Sequence, residues 1–507
     1  MKRWLPLFLL LALALVPATV QGQGVTTATI RGTVTADNGE TLPGANVVAV
    51  HVPSGTQYGT STNENGRYTL PNLRVGGPYT VTASFVGYQS KRETGIQLAL
   101  GSKQTLNFDL QERTAELDEV EVVAERGGVF DSERTGIERN ISEEQIDSAP
   151  TLGRDLADFT RLTPQAYVEN DDDDGPAISI AGQNNRYNSI FIDGAVNNDV
   201  FGLSAQGTNG GQTGVTPISI DAIEQFQVSI SPFDVTQSGF TGGAINAVTR
   251  SGTNEFQGSL YYFGRRDWLT GRDPLAGPDG VRDRLNQFSD DRFGFRFGGP
   301  ILKDEVFFFV SGEALDRAIP QPFAPSTYVG DSGIETFETI RSVYQEELGF
   351  DPGTFRDKTT TVESPKLFAK LNWNINNNHR LVARHSYTKG ENTDQFRSGG
   401  GIINYSSNAE VFPSTTNSSA LELSSTIGDN MSNKLILGYT RVRDDRNAAQ
   451  IFPTVNIEDG AGEIRLGAEP FSTANILEQD VLTLTNNFSY YLGDHTITVG
   501  THNEFYH

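Results

Sequence analysis

Few groupings of side chains in this 507-residue chain carry obvious chemistry, and the densest is "ENDDDDG", residues 169–175. Carboxylate oxygens at this density suit a hard cation such as calcium. The run Asp171, Asp172, Asp173 and Asp174 lacks the alternate spacing of an EF-hand loop, however, and its composition is that of a solvated acidic loop. "GFTGGA", residues 239–244, has the glycines of a phosphate-binding turn, yet no Lys-Ser/Thr pair closes it and no helical pattern follows. The six histidines are scattered without HExxH spacing, and no serine sits in a nucleophile elbow. Cysteine is absent, which removes disulfides and thiolate metal sites. These patterns predict no catalytic residue, no cofactor and no metal centre.

A different kind of chemistry resides in "LDEVEVVA": Leu117, Asp118, Glu119, Val120, Glu121, Val122, Val123 and Ala124. Its centre is β-prone and its flanks are charged and Gly-rich. It reads either as a short edge strand or linker, or as a segment kept available to add itself to a partner's sheet through backbone hydrogen bonds. The charge balance of 39 Lys+Arg against 63 Asp+Glu, net −24, argues against nucleic acid as the partner.

The elements that would position these segments fall into regions. Lys2 and Arg3 followed by an apolar core over residues 5–16 read as a Sec-type export signal over residues 1–22. No other stretch approaches the ~20 apolar residues of a membrane-spanning helix, so membrane residence would require a barrel. Residues 27–112 alternate apolar and polar positions between turn signals ("DNG", "PG", "NG") and predict a small antiparallel sandwich, with His51 as an exposed strand residue. A linker follows over 113–135. Residues 136–254 predict a small α+β unit. Ser142 caps a short helix stopped by Pro150, and Leu156, Phe159 and Leu162 share a helical spacing. Asp193 and Gly194 form a turn, and "GGAINAVT" forms the last strand, where Gly242 and Gly243 permit close packing.

From residue 255 onward, alternation recurs in runs of about ten residues, as in an outer-membrane barrel. Phe293, Phe295 and Phe297 share one face. Leu367, Ala369, Leu371 and Trp373 lie opposite Lys370 and Asn372. Nine strands are predicted, starting near Gln257, Asp291, Glu305, Pro365, His379, Asn417, Ser432, Asp480 and His495. Long polar inserts over 270–290 and 319–361 fit extracellular loops, and "LKDE" and "INNNH" fit periplasmic turns. The fold class is therefore mainly β: a sandwich, an α+β unit and part of an antiparallel barrel.

"IRGTVTADNGETLPGANVVAV", "TNENGRYTLPNL" and "VTASFVGYQ" resemble the carboxypeptidase regulatory-like (transthyretin-like) domain, a likeness that does not imply peptidase activity. "NSIFIDGAVNND", "SIDAIEQFQV", "GFTGGAINAVTRSGTNEF" and "FRFGGPILKDEVFFFVSGE" resemble the plug and early barrel of TonB-dependent outer-membrane receptors, in particular the Oar-like group. That resemblance implies a plug over 136–254 carrying Asp193, Gly194, Gly239, Gly242 and Gly243, and it makes "LDEVEVVA" a TonB box. It implies as partners TonB with its inner-membrane energising complex, outer-membrane lipid and an extracellular nutrient such as a siderophore, glycan or peptide. Barrels of the family have about twenty-two strands, so the chain is expected to be an N-terminal fragment of one. A rival expectation is an adhesion or secretion-related barrel whose sandwich binds a partner without uptake.

Overall fold

Short alternating runs separated by glycine turns fold the first region into nine strands: β1 (Ala28–Ala36), β2 (Asn46–His51), β3 (Thr56–Ser61), β4 (Arg67–Leu73), β5 (Gly76–Ser84), β6 (Lys91–Leu98), β7 (Lys103–Thr105), β8 (Phe108–Leu110) and β9 (Val120–Val123). The computed structural model describes residues 24–113, 120–123, 137–272 and 287–507, apart from 152, 172–174, 233, 238 and 494. The expected export signal, Leu117, Asp118, Glu119, Ala124 and most of the aspartate run lie outside the described residues.

One sheet has the order β4-β1-β7, with β8 also on β1, and the other has the order β3-β2-β5-β6-β9. The sandwich is not purely antiparallel as expected. β1 runs parallel to β7 and β8, and β6 parallel to β9, because the chain crosses from one sheet to the other after β6 and returns. The seat of this returning segment on β1 is tight: between β7 and β8, the carbonyl oxygen of Leu106 would lie 1.8 Å from a Cβ on Gly32. Ile30, Val34, Val47, Ala49, Val81, Leu98 and Phe108 fill the space between the sheets. Two core tyrosines reach backbone acceptors, Tyr68 donating to Leu106 O and Tyr79 to Arg74 O, each at 2.7 Å, as a buried hydroxyl requires.

His51 departs from its expected exposure and is only 2% exposed. The turn Val52–Ser54 folds the chain back over it, and the N–H of Asn254, at the end of the second region, donates to Pro53 O at 2.9 Å. The ring lies 5.0 Å from that of Tyr79, with Nδ1 2.7 Å from Ser54 Oγ. Burial, helped by the Arg74 charge, pushes the imidazole down to about 3.

In the second region a five-stranded sheet has the spatial order Glu138–Ile141, Ile223–Ser229, Ala244–Thr249, Ser189–Ile192 and Ala195–Val196. The strand that is last in sequence is thus central in space, antiparallel to Ile223–Ser229 and parallel to Ser189–Ile192. Ser142 and Gln145 form a reciprocal capping box on the helix Glu143–Ser148, and Asp155 caps Leu156–Thr160. Leu156 and Phe159 enter the core, whereas Leu162 lies past the helix end and is exposed.

The third region is one antiparallel wall of nine strands in sequence order: Gln257–Arg266, Ser289–Leu302, Val306–Gln321, Lys358–Asn374, His379–Asp394, Glu410–Ile427, Met431–Ala448, Asn475–Leu492 and His495–Tyr506. The first and last of these do not pair with each other. Leu367, Leu371 and Trp373 are exposed outside, while Lys366 and Lys370 are buried inside, the alternation of a lipid-facing wall. Phe309 and Phe368 join the core of the second region, so that unit packs directly on the wall. At the far end, the inserts expected to be plain polar loops contain the helix Ile334–Leu348 and a three-stranded sheet, Ile402–Asn404, Gly462–Leu466 and Val455–Asp459. Phe337, Phe355, Ile403, Tyr405, Ile464 and Leu466 form their shared core.

Because His51 is held neutral in the fold but titrates near 6.5 when unfolded, the unfolded chain binds more protons between those values, and stability falls as pH drops through that window. Sandwich stability should fall by about 2 kcal/mol from neutral pH to pH 5. Limited proteolysis of the sandwich across a urea series should show this slope, and His51→Gln should remove its share of it. An unchanged slope in His51→Gln would contradict the assignment.

Candidate functional site

The second region is fastened to the wall by buried charges, and the main fastening begins at a turn. Asp193 and Gly194 join Ser189–Ile192 to Ala195–Val196, and both have positive φ, +46° and +74°. A two-residue hairpin of the I′ type requires this, and Asp-Gly meets the requirement. The turn carries the Asp193 carboxylate to the inner face of the wall. There it accepts from Thr249 N at 2.9 Å and Thr249 Oγ1 at 2.6 Å. Lys370 Nζ and Arg384 Nε approach it at 3.3 Å each. The period of two along Lys358–Asn374 and His379–Asp394 turns both cations inward, and the two are direct cross-strand partners. Lys370 also donates to Thr249 O at 2.9 Å, and Arg384 Nη2 to Ile192 O at 2.7 Å. Burial alone would raise the Asp193 carboxyl. The Lys370 and Arg384 charges, with the Thr249 hydrogen bonds, outweigh it and hold the group below its ordinary value.

A second fastening lies two pleat repeats along the same strand, at Lys366. Glu313 and its cross-strand partner Lys366 pair at 2.9 Å with almost no exposure. Glu313 accepts from Ser219 Oγ at 2.9 Å and Tyr261 OH at 3.0 Å, and Lys366 donates to Thr216 Oγ1 at 3.0 Å. Arg250, at the exit from the central strand, pairs with Glu143 and Asp147. The glycines singled out above lie inside the second region. A Cβ on Gly242 would meet Asn188 Oδ1 at 2.4 Å, and one on Gly243 would meet the Ile180 side chain at 2.7 Å. Gly239 has φ +86°, and its carbonyl accepts from Ser189 Oγ.

The sandwich is docked below this interface. The Arg380 guanidinium stacks 3.6 Å over the Tyr58 ring and donates to Gln57 O at 3.0 Å. Arg74 reaches Glu224 at 3.4 Å and Gly252 O at 3.2 Å. Lys434 donates to Thr26 Oγ1 and Thr27 Oγ1 at 2.9 and 2.8 Å. A cleft remains where the three regions meet, lined by Tyr58, Arg74, Asp193, Glu224, Lys370 and Arg380 among others. Among the described residues, no group of His, Asp and Glu side chains is arranged to hold a metal ion. Of the proposed box, Val120, Glu121, Val122 and Val123 form β9 at the edge of the sandwich.

This architecture has known counterparts. Residues 29–111 match the carboxypeptidase regulatory-like domain, residues 132–245 the TonB-dependent receptor plug domain, and residues 248–329 an outer membrane beta barrel domain. These three domains, in this order, are those of a TonB-dependent receptor. The second region is its plug and the wall is barrel. The chain is 27% identical to the TonB-dependent transporter Oar of Myxococcus xanthus, over 70% of this chain and 33% of that protein. It is 25% identical to the TonB-dependent receptor SusC of Bacteroides thetaiotaomicron, over 65% of this chain and 32% of that one. The Escherichia coli outer membrane transporter YddB shares the fold at a TM-score of 0.51 and 15% identity, covering 73% of this chain and 48% of that one. The chain spans about a third of the length of the curated relatives named here.

Sequence reasoning placed Asp193 in a turn but missed its partners. Lys370 was legible as an inward residue of a barrel strand, and Arg384 sits on the neighbouring strand with the same inward phase. Their common target could not be seen without the register between strands.

Replacing Asp193 leaves two buried cations unpaired. Asp193→Asn should destabilise plug seating by roughly 3–5 kcal/mol, read as earlier protease cleavage of the plug in a urea series on the full-length receptor. The double variant Asp193→Asn, Lys370→Met should recover part of the loss. Wild-type cleavage in the single variant would contradict this account of the interface.

Proposed function

We propose that the full-length protein is an outer-membrane receptor that takes up a nutrient of the siderophore, glycan or peptide class, using energy delivered through TonB. The observation that supports this reading is the plug's seat: an interface that combines apolar contacts at Phe309 and Phe368 with buried charge pairs at Asp193 and Glu313. A dry apolar seat would be permanent. An ionic one is strong while water is excluded and weakens once water enters, because the desolvated charges can then be hydrated separately. It is therefore a seat that a modest pull can open.

The chain order supplies the route for that pull. TonB pairs with the box through backbone hydrogen bonds. Tension on the box reaches the plug first at Glu138–Ile141, the edge strand of the plug sheet. Among the described residues that strand pairs with Ile223–Ser229 alone, so it can peel without breaking the central strands. The loop structure at the far end of the wall, with its own aromatic core, is the part that captures the nutrient outside the cell. Residues 1–22 direct export through the Sec pathway.

Proline in the box removes backbone donors and blocks strand pairing. In cells carrying the full-length receptor, Val120→Pro with Val122→Pro should cut uptake by about tenfold or more while binding of the nutrient at the cell surface persists. Unchanged uptake would refute the box assignment, and surface binding with no uptake in the unmodified receptor would favour an adhesion role.

A further inference from the structure

Residues 24–27 lead into the sandwich but lie between plug and wall, with Gly24 and Thr26 buried. On the plug side, Val25 N donates to Asn246 Oδ1 at 3.2 Å. Gly24 is pressed so closely on the plug that an added Cβ would lie 2.4 Å from Phe191 Cβ and 2.7 Å from Asn246 Oδ1. On the wall side, Lys434 donates to the hydroxyls of both Thr26 and Thr27. Val25 packs against Val75 and Leu100 of the sandwich and Val248 of the plug. The segment runs directly into β1, which lies between β4 and β7 in its sheet. We propose that residues 24–27 are a strap by which the sandwich holds the plug in the barrel, and that the strap must be withdrawn before the plug can move aside.

The plug sheet is built to receive this strap. Asn246 is fully buried in the middle of the central strand, among Ala244, Ile245, Ala247 and Val248. A buried amide needs partners, and Asn246 finds them in the Val25 N–H and, at 3.5 Å, in Gln227 Oε1. Gln227 in turn donates to Leu100 O at 3.0 Å, and Gln225 accepts from Leu100 N at 3.1 Å. One face of the plug sheet thus carries three amide side chains matched to backbone groups of the strap and of the sandwich. The strap also divides two clefts. Thr26 and Thr27 line the one that holds Asp193, Lys370 and Arg384, while Gly24, Val25 and Thr27 line a second, beside Asp234, Lys434 and Asn487. Withdrawing the strap joins the two into one polar gap along the inner wall. Water entering that gap reaches the Asp193 pairs, which hold less firmly once hydrated. The strap therefore guards the charged seat as well as gripping the plug.

The test needs neither TonB nor a nutrient, so its outcome is independent of the uptake reading and of the box. The full-length receptor is placed in a planar lipid bilayer with urea below the concentration that unfolds the barrel, and openings are counted as steps in potassium-ion conductance. Deleting residues 24–27 removes the three hydrogen bonds of the strap and should raise the opening frequency by about tenfold or more. Should the deleted form fail to reach the outer membrane, Gly24→Val, which keeps the chain length, takes its place with the same expectation. Lys434→Met should produce part of the rise, and should add nothing in a receptor that already lacks the strap. Heat-modifiable mobility on a gel confirms an intact barrel in each variant. An opening frequency within about twofold of the unmodified receptor after the deletion would overturn the proposal. So would a Lys434→Met effect that persists in full without the strap, because Lys434 would then be acting on another group.

Discussion

Asp193 carries a full negative charge in a place nearly closed to water, and that charge is tolerable only because Lys370 and Arg384 reach it from the wall. The dependence runs both ways. Two cations buried on the inner face of a membrane wall are unstable without an anion, and the anion comes from the plug. Much else follows from satisfying these groups. Thr249 must end the central strand where its N–H and hydroxyl meet the carboxylate. The hairpin must be two residues long with Gly194 at its second position. The neighbouring strands must run in a register that sets Lys370 opposite Arg384. The same logic recurs at Glu313 and Lys366, so the plug is oriented by at least two charge contacts and cannot turn within the wall without breaking them.

The sandwich extends this principle to the entrance of the chain. It meets the barrel through a cation over a ring and the plug through a largely buried arginine–glutamate bridge, contacts of moderate strength beside an open cleft. Interfaces of this polar kind permit one unit to move relative to another. Three bodies joined by seams that mix charge pairs with small apolar contacts, such as Val75 and Leu100 against Val248, can hold a fixed arrangement at rest and still separate in order under load.

How much of this was written in the sequence depends on the range of the interaction. The nine wall strands were legible because a lipid-facing wall imposes a period of two that no local preference hides, and Leu367, Leu371 and Trp373 lie outside as their spacing requires. The capping box at Ser142 and Gln145 was legible because it is complete within four residues. His51 was misread because what buries it is a turn and a plug terminus some two hundred residues away. The parallel pairings of β1 and β6 depend on a crossover that turn signals do not encode. The far-end core was missed for the same reason: Phe337, Ile403 and Ile464 come from separate inserts, none of which is apolar enough to look like core. The Asp193 site falls between these cases. Each residue's facing could be read, but the meeting of the three could not.

The central claim is that this architecture moves a nutrient inward at the expense of the inner-membrane proton gradient. The most direct measurement follows the composition of the growth medium around cells with and without the full-length receptor, before and after a protonophore dissipates the gradient. The account predicts that a defined compound class is depleted from the medium and accumulates in the cell only when receptor and gradient are both present. Receptor-dependent binding at the surface that never becomes accumulation, or accumulation that the protonophore leaves unchanged, would contradict it.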